Sequence, residues 1–571
     1  MQVHYLVEIT DPQTHMVKVR LSAQKPDLDK LSFFMPSWSP GSYLMREYAR
    51  NIRTISVKSS QGEYLSFDQS AKGVWEIDFK NSDLKGVCTS FDIEYEVYCH
   101  ELTVRTSHVD ESHAFLHGPS YLIGIKDHDI EPIIEFRFPA LWSKLHTGLK
   151  DISEQREKFV YSAPNYDDLI DCPVEIGCHE SDGFLVQGKE HHLIWYGESY
   201  PHNNDLKADI KTIVETVSSH FSDIPYDSYL FMTHFKRNLY GGLEHKNSTA
   251  LHFDGRMLSD RESYVNWLAL VAHEYFHTWN VKRIRPKELG PFDYLNENYT
   301  RLHWLTEGLT SFMDELFVLR AELCTLEEYL KMQTKNLQRY LDIPGKKFHS
   351  LEDSSFNAWV KLYRPDENSN NSSVSYYLKG GLVFSTLHFD LKKQGKNIND
   401  LLDLLWKRYN DNPEDGVTRD EVLTMIETVG GKEVRDRFEM RLSTTEDIDF
   451  ETYYQEIGCE FEWDQPETVD LGLTLRYQGD QAFVASVKLD SSSFKAGINA
   501  QDELIAINGL RVLKDDLDRM TKMLIPGKSY SYTCSRQGTM VTGTMVAEKA
   551  QRRLKSIKII DQEKALSALK S

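Results

Sequence analysis

Alternating apolar and polar side chains mark the first part of the chain as β structure. Residues 91–98 alternate four apolar side chains with acidic ones, and residues 74–79 and 133–138 show a similar pattern. A period of two residues is typical of a half-buried strand. Clusters of Gly, Pro and Asn separate these runs, and no long helical pattern intervenes. The pattern predicts a β-sandwich over residues 1–165.

The periodicity then changes to that of an α+β region. Residues 205–221 have helical spacing, residues 228–235 are typical of a strand, and residues 238–253 are typical of a turn and a second strand. After this sheet, helical spacing dominates up to residue 458. We therefore predict an α+β domain over residues 166–460, with its sheet first.

Short strands return in the last part of the chain. They flank a helical segment at residues 515–524, which predicts a small, partly open β-barrel with one helix over residues 461–550. Residues 551–571 are expected to be a charged tail, either helical or disordered. The polar stretch 366–373, within the preceding domain, is expected to be an exposed mobile loop. The fold class is thus multidomain α+β.

The charge balance excludes two classes of partner. The 571 residues carry 66 Lys and Arg against 87 Asp and Glu, a formal net charge of −21. A surface this acidic repels polyanions, so we expect no nucleic-acid partner and no membrane partner. The apolar run 265–272 is also far shorter than the roughly 20 residues of a membrane span.

The N-terminus and the cysteines predict the compartment. The first ten residues lack the basic and apolar regions of a secretory signal. The seven cysteines are scattered, odd in number and free of C-x-x-C pairs. We interpret them as reduced thiols and expect a cytoplasmic protein.

An H-E-x-x-H motif carries the first candidate chemistry. It consists of His273, Glu274 and His277, and a random order of this composition gives about 0.1 such matches. The segment Ser259–Glu262 has the pattern of a capping box, and the residues after it contain no Gly or Pro and are apolar nearly all round. Both features predict a buried helix that contains the motif.

A helix places the motif residues as a zinc site requires. Residues four apart share one face, so His273 and His277 present two imidazoles to one point. Glu274 lies about 100° round the helix, within reach of a water on the metal. The alternative is a pair of satisfied core histidines.

A catalytic zinc needs a third protein ligand and one open position. Glu307 is the best candidate, because it lies beside an apolar helical stripe, where a carboxylate is costly to bury unless it is paired or bound to a metal. Glu288 and Glu297, in the intervening loop, are weaker candidates. An ordinary, partly solvated glutamate is the alternative interpretation of Glu307.

These motifs resemble those of a known family. Residues 273–277 followed by residues 304–308 look like the gluzincin metallopeptidases, in which a second helix supplies the glutamate ligand, and residues 35–52 resemble the N-terminal signature of the glycyl aminopeptidase family. The resemblance implies a β domain, a thermolysin-like, mainly helical zinc peptidase domain and a C-terminal PDZ domain. It also implies one Zn²⁺ per chain, with Glu307 as the third ligand.

The same chemistry assigns roles to Glu274 and to a tyrosine. Glu274 would take a proton from the attacking water and pass it to the leaving amine, and the developing oxyanion needs a hydrogen-bond donor. Related gluzincin aminopeptidases use a tyrosine followed by x-Lys-Gly, and Tyr377 matches that spacing. The neighbouring Tyr376 is the alternative.

The segment 240–245 is the candidate substrate strand. It resembles the Gly-x-x-Glu strand of zinc aminopeptidases, in which Gly241 and Gly242 would let the substrate backbone approach. Glu244 would pair with the substrate ammonium. The alternative is a hairpin turn with a surface glutamate. The family name implies a preference for N-terminal Gly or Ala.

Three basic residues follow the motif helix. Lys282, Arg283 and Arg285 are expected to form a solvated basic face. Binding a peptide carboxylate or carbonyl is the alternative.

The C-terminal module resembles a PDZ domain. Leu471, Gly472 and Leu473 look like its carboxylate-binding loop, and residues 495–512 are similar to the PDZ stretch of bacterial proteases. Such a groove would bind a chain terminus or an extended segment, or would pack against the catalytic domain.

The sequence predicts a zinc-dependent aminopeptidase that acts on peptides. Two other functions stay open. A zinc endopeptidase would need no amine anchor, so Glu244 would be dispensable. A catalytically inactive PDZ adaptor on a peptidase fold would bind peptides without cleaving them.

Overall fold

The chain divides into two compact units in a computed structural model of the protein. The first unit comprises Met1–Tyr299 and Leu402–Val417, and the second comprises Thr300–Leu401 and Thr418–Ser571. The structure describes residues 1–80, 88–155, 158–201, 204–514 and 516–570.

The first 177 residues are β-rich, as the alternating pattern predicts. Their strands are β1 Gln2–Glu8, β2 Met16–Gln24, β3 Lys30–Phe34, β4 Ile52–Ser59, β5 Ser66–Ala71, β6 Val74–Asp78, β7 Ser90–Tyr98, β8 His108–Val109, β9 His113–Leu116, β10 Gly124–Ile125, β11 Glu131–Arg137, β12 Lys144–Thr147, β13 Lys150–Asp151, β14 Phe159–Ser162 and β15 Val174–Gly177. They form three sheets in the orders β13-β14-β11-β1-β2-β7-β4, β10-β3-β6-β5 and β12-β15-β9-β8. The four apolar side chains of β7 that the alternation singles out are buried in the core between strands.

The predicted boundary at residue 165 is too early. The short helix α1, Tyr166–Ile170, is followed by β15, which pairs with both β9 and β12. Val174 and Ile176 are fully buried in this sheet. Pairing with strands some 30 and 60 residues earlier is non-local, so local periodicity could not reveal it.

A five-stranded sheet follows in the same unit. Its strands are β16 Glu180–Val186, β17 Lys189–Gly197, β18 Ser228–Phe235, β19 Tyr240–Glu244 and β20 Ser248–Phe253, in the order β16-β17-β18-β20-β19. Strands β17, β18 and β20 are parallel, and β19 lies antiparallel at the edge. Helices α2, Leu206–Ser218, and α3, Arg261–Phe276, belong to this unit as well.

Helix α3 begins one residue later than its capping pattern predicts. Asp260 is the N-cap, and its carboxylate accepts a hydrogen bond from the Ser263 backbone N–H at 2.9 Å. Ser259 belongs to a preceding 3₁₀ turn, and its hydroxyl donates to the Arg256 carbonyl. Serine and aspartate cap helices about equally well, and the helix dipole adds a preference for an acidic residue such as Asp260.

Helices dominate the following part of the chain. They are α4 Leu309–Arg320, α5 Leu326–Asp342, α6 Leu351–Phe356, α7 Ser369–Ser372, α8 Tyr376–Lys392, α9 Ile398–Asp411, α10 Arg419–Ser443 and α11 Phe450–Glu456. A π-helical turn, Trp304–Gly308, leads into α4. Among the described residues, no helix combines the length and apolar character needed to cross a bilayer.

The polar stretch 366–373 is more ordered than its composition predicts. It contains the single turn α7, and the Asn371 amide donates to the Val487 carbonyl and accepts from the Leu489 N–H, both at 2.8 Å. The stretch is partly exposed, as predicted, but the Asn371 amide ties it to a later segment of the same unit.

The described residues of the C-terminal region form a six-stranded sheet, a separate two-stranded pair and three helices. The elements are β21 Cys459–Asp464, β22 Leu473–Gln478, β23 Gln481–Val487, α12 Ser492–Ala496, β24 Glu503–Ile507, β25 Leu510–Arg511, α13 Leu517–Met523, β26 Ser529–Arg536, β27 Thr539–Val546, β28 Arg553–Ile559 and α14 Gln562–Lys570. Strands β22 to β27 form one sheet, and β21 pairs with β28.

The prediction of a charged tail over residues 551–571 needs correction. Strand β28 pairs along the whole length of β21, and α14 buries Ala565 and Leu569. The Leu569 carbonyl accepts a hydrogen bond from the Arg320 guanidinium at 3.1 Å. The charges occupy only the outer face of this segment, and its few apolar residues are enough to anchor it.

Candidate active site

Helix α3 brings the two motif histidines together. Their ring centroids are 4.7 Å apart, with the ring planes nearly perpendicular. Nδ1 of His277 lies 2.7 Å from the Asn280 carbonyl oxygen, so it carries the proton and donates to that oxygen. The lone pair of His277 is then on Nε2, the form in which a histidine binds zinc. The donor types and the tautomer therefore fit a zinc ion.

The edge strand β19 places a second carboxylate beside the motif. One oxygen each of Glu244 and Glu274 and one ring nitrogen of His277 lie within 4.8 Å of one another, and all three side chains are buried. Two buried carboxylates this close repel each other unless a positive charge or a proton lies between them. The cluster therefore favours a cationic ligand.

The glycines of β19 have different surroundings. A Cβ atom on Gly242 would overlap the Glu274 carboxylate, so only glycine leaves that carboxylate in place. Gly241 has a φ of +146° and no heavy atom near its would-be Cβ. The Arg105 guanidinium donates to the Gly242 carbonyl at 3.2 Å and holds the strand from its other side.

A loop of the N-terminal β region also contacts the candidate amine anchor. Gly41 has a φ of +83°, and a Cβ on it would lie 2.6 Å from Glu244 Oε1. Gly41, Tyr43, His117 and Glu244 contribute to the walls of one cavity of about 330 Å³. Sequence reasoning missed this contact, although Pro40-Gly41 within the family signature marks a tight turn.

The three basic residues after α3 bind other parts of the first unit and do not form a solvated face. The Lys282 ammonium lies 2.7 Å from Asp171 Oδ1. Arg283 donates to three backbone carbonyls, among them that of Thr278 at 2.7 Å, and Arg285 donates to that of Glu414 at 2.8 Å. The prediction of a solvated basic face is wrong, because a carboxylate and several backbone carbonyls of the same unit bind these side chains.

Asp171 is held ionised by its neighbours. Burial by itself would raise the pKa of this carboxyl, but the Lys282 ammonium and the His245 imidazole outweigh burial and lower the pKa well below its usual range. The resulting ion pair joins the segment after α3 to the end of the N-terminal β region.

Glu307 lies in the second unit, in the π-helical turn before α4. Its side chain is only 2% exposed. A Cβ on Gly308 would lie 2.8 Å from the Gly380 Cα, so the two glycines let this turn and α8 pack backbone against backbone. Single π-helical turns occur frequently at functional sites.

The two tyrosines at the start of α8 differ in access. Tyr376 is fully buried, and its ring stacks on His303 at a centroid distance of 5.0 Å. Tyr377 is half-buried, and its hydroxyl lies 3.4 Å from that of Tyr363. Burial, and then the charge of Glu307, raise the pKa of Tyr377 well above its usual value, so its hydroxyl stays protonated.

In the loop before β22, the central backbone N–H already donates a hydrogen bond within the loop. Gly472 has a φ of +68°, and its N–H donates to the Asp470 carboxylate at 2.8 Å. Leu471, Gly472 and Leu473 line a groove of about 600 Å³ together with residues of α13. An incoming chain terminus would have to displace a carboxylate of the same charge.

Comparison with known families decides the affiliation. The N-terminal domain of peptidase M61 matches residues 4–178, and the M61 glycyl aminopeptidase domain matches residues 266–383. The two matches together cover more than half of the chain. The chain belongs to the M61 peptidase family. It is therefore a metallo-aminopeptidase.

Two solved structures resemble this M61 protein. An aminopeptidase N family protein from Idiomarina loihiensis is 28% identical, with a TM-score of 0.92, and the match covers 99% of this chain and 100% of that one. An M1 zinc metallopeptidase from Deinococcus radiodurans is 12% identical, with a TM-score of 0.50, over 78% of this chain and 94% of that one. The second likeness concerns the fold alone. No curated protein matches the sequence.

The M61 matches also delimit the β-rich region. The N-terminal domain match ends at residue 178, one residue after β15. The β-rich domain therefore ends near residue 177.

Proposed function

We propose that this M61 protein is a zinc aminopeptidase that removes the N-terminal residue of peptides, with a preference for Gly or Ala. The observation that carries the proposal is the cluster of Glu244, Glu274 and His277 beside the edge strand β19. An edge strand has free backbone groups to pair with an extended peptide. A buried carboxylate at its end supplies a partner for a terminal ammonium. The preference for Gly or Ala rests on the family description alone.

His273, His277 and Glu307 are the proposed ligands of one Zn²⁺ per chain. Two imidazoles and a carboxylate are the ligand types of catalytic zinc sites. The Asn280 carbonyl supports the assignment, because it holds His277 in the tautomer in which Nε2 carries no proton. When bound, zinc supplies Lewis acidity, which makes a water nucleophilic at neutral pH.

Glu274 is the proposed general base. Its carboxylate would accept a proton from the attacking water and return it to the leaving amine. Contact with Gly242 supports the role, because the carboxylate lies directly against the strand that would align the substrate backbone. The burial of Glu274 excludes bulk water from the proton transfer.

Glu244 is the proposed amine anchor. It lies within 4.8 Å of Glu274 and His277, so an ammonium bound to it would bring the first peptide bond to the base. Gly241 leaves room for the substrate backbone alongside, and Gly242 lets the Glu274 carboxylate approach the strand. Pairing with a free amine would limit cleavage to the peptide bond that follows the N-terminal residue.

Tyr377 is the proposed donor to the developing oxyanion, with Tyr376 as the alternative. Tyr377 is the more accessible of the two, and its raised pKa keeps the hydroxyl proton available for donation. Tyr376 is fully enclosed and stacked on His303. These differences favour a catalytic role for Tyr377 and a packing role for Tyr376.

Residues 461–550 are proposed to be a PDZ domain, since a groove lies between β22 and α13. The bond from the Gly472 N–H to Asp470 favours an extended segment over a chain terminus as occupant of the groove.

A cytoplasmic location is proposed from the free cysteines and the acidic charge.

The deciding experiment compares Gly-, Ala- and Leu-anilides with their N-acetylated forms, with and without a chelator. We expect cleavage of the free-amine Gly and Ala substrates, no cleavage of the acetylated ones, and recovery of the stripped enzyme by zinc. Cleavage of the acetylated substrates would instead identify an endopeptidase. Failure of the zinc-loaded protein to cleave any substrate would identify a peptide-binding adaptor.

A further inference from the structure

A tight hairpin of the N-terminal β region carries a second cluster of metal-ligand side chains. The hairpin consists of β8 and β9, and His108, Asp110 and His113 lie on it or in its turn. One ring nitrogen of each histidine and one Asp110 oxygen lie within 4.8 Å of one another. The cluster belongs entirely to the first unit and shares no residue with the proposed catalytic site.

The tautomer of His108 leaves its lone pair facing a carboxylate. Nδ1 of His108 lies 2.7 Å from the His100 carbonyl oxygen, so Nδ1 carries a proton and donates to it. The other nitrogen, Nε2, lies 3.1 Å from Asp110 Oδ2. In the neutral ring both atoms of this contact are acceptors, so a cation has to lie between them. The cation is either a second proton on the ring or a metal ion.

His113 has the same arrangement. Its Nδ1 lies 2.7 Å from Glu175 Oε1 and donates to that buried carboxylate. Its Nε2 is buried and has no hydrogen-bond partner among the described residues. The ring centroids of His108 and His113 are 5.3 Å apart. Each imidazole thus has Nδ1 bonded to a backbone or carboxylate oxygen, so Nε2 is the nitrogen that would bind a metal ion.

The turn fixes the carboxylate between the two rings. Asp110 Oδ1 accepts hydrogen bonds from the backbone N–H groups of Ser112, at 2.8 Å, and His113, at 3.2 Å. The turn therefore holds Asp110 by Oδ1 and places Oδ2 on the side of His108, 3.1 Å from its Nε2.

A buried hydrogen-bond network supports the cluster through Nδ1 of His113. Glu175 is fully buried and accepts from both His113 and, at 2.9 Å, His234 Nε2. His234 Nδ1 in turn lies 3.0 Å from His252 Nε2. A carboxylate that orients an imidazole through its far nitrogen is the usual arrangement behind a metal-ligating histidine. An isolated surface histidine needs no such support.

We propose that His108, Asp110 and His113 form a second metal site that binds a divalent transition-metal ion, with Zn²⁺ as the favoured ion. The two imidazoles favour zinc and its neighbours over Ca²⁺ or Mg²⁺, and a carboxylate is an accepted third ligand of zinc. The Asp110 side chain is 30% exposed, so the site has a path from solvent and room for water ligands. The ion would join the two strands of the hairpin across its turn.

Metal counting on purified full-length protein tests the site. After zinc loading and exhaustive dialysis, we expect two zinc ions per wild-type chain and one per chain of Asp110→Asn. The His277→Gln variant, which lacks a ligand of the proposed catalytic site, should keep one zinc, and adding Asp110→Asn should remove it. If the proposed catalytic site binds no zinc, the wild type will hold one ion that Asp110→Asn alone abolishes.

Two further variants separate metal binding from folding. Glu175→Gln keeps all three ligands and should weaken zinc binding at the hairpin about 10- to 100-fold. His192→Gln removes a histidine that also faces a carboxylate, Glu190 at 3.5 Å, but lies outside the cluster; it should leave the zinc count unchanged. Anomalous scattering at the zinc edge from wild-type crystals should show a peak between His108, Asp110 and His113. A zinc count that Asp110→Asn does not change, with no peak at the hairpin, would overturn the proposal in favour of a proton on His108.

Discussion

Gly242 and Glu274 are in direct contact, so that a side chain at position 242 would occupy the place of the Glu274 carboxylate. The two residues belong to different elements, the edge strand β19 and helix α3. Their contact sets the distance between a candidate substrate strand and a candidate base. It therefore supplies the first test of the proposed mechanism.

Gly242→Ala should abolish most turnover without loss of metal. The new methyl group displaces the Glu274 carboxylate, and general-base catalysis is worth about 10²- to 10⁴-fold, so we expect kcat to fall by about 10²-fold or more. Anilide hydrolysis and metal analysis measure the two effects. Gly381→Ala is the control, because its Cβ meets only ordinary contacts at 3.5 Å. Full activity of Gly242→Ala would contradict the role of Glu274.

Glu274→Gln should keep the zinc and lose turnover about 10²- to 10⁴-fold, since the amide cannot accept the proton. Metal analysis together with kcat checks both parts. Glu262→Gln, in the first turn of the same helix, should behave as wild type. A loss of zinc in Glu274→Gln would indicate that this carboxylate is a ligand instead.

Glu244→Gln should weaken recognition of free amines specifically. Loss of a charged hydrogen bond costs about 1.5–3 kcal/mol, so kcat/KM for Gly-anilide should fall about 10- to 100-fold. Glu180→Gln, on the opposite edge strand of the same sheet, is the matched control. An equal loss of kcat/KM in both variants would remove the amine-anchor role from Glu244.

Measurements of kcat and of the melting temperature should distinguish the roles of the two adjacent tyrosines. Removal of one oxyanion donor costs about 10²- to 10³-fold in kcat, which we expect for Tyr377→Phe with an unchanged melting temperature. Tyr376→Phe should leave kcat within about threefold. The reverse pattern would transfer the catalytic role to Tyr376.

Lys379 should make stability rise with pH. Burial lowers the pKa of this side chain to about 8, whereas the unfolded chain has a lysine pKa of about 10.4. Between those pH values the unfolded state binds more protons, so stability increases with pH; below about pH 8 the folded state bears the full cost of the buried charge.

Replacement of Lys379 tests this linkage. Lys379→Met should raise the melting temperature at pH 7, and its advantage over wild type should shrink by pH 9.5. The exposed Lys396→Met is the control and should show no such trend. An advantage of the same size at both pH values would exclude ionisation as its cause.

Local features of the site follow from local sequence. His273 and His277 are four residues apart on one helix, and helical geometry alone brings their rings to one face. The alternation of β7 likewise identifies its buried side chains without any tertiary information. The M61 family matches agree with the predicted family.

Other features depended on partners that local patterns do not contain. The acidic cap of α3 replaced the predicted serine, and an amide tied the polar stretch around Asn371 to a later strand. Residues 553–570 contain a strand and a helix instead of an unpaired tail, because β21, some 90 residues earlier, pairs with β28. Composition describes the solvent face of such segments and says little about the few residues that anchor them.

The sequence by itself determined which residue types lie one helical turn apart, because backbone geometry relates neighbours in the chain at a fixed distance. Only the tertiary structure decided that Glu244 lies beside Glu274, and that Glu175 and the His100 carbonyl set the tautomers of His113 and His108. Which nitrogen of an imidazole carries the proton depends on the acceptor that packing brings to its other side. That acceptor is often far away in the chain.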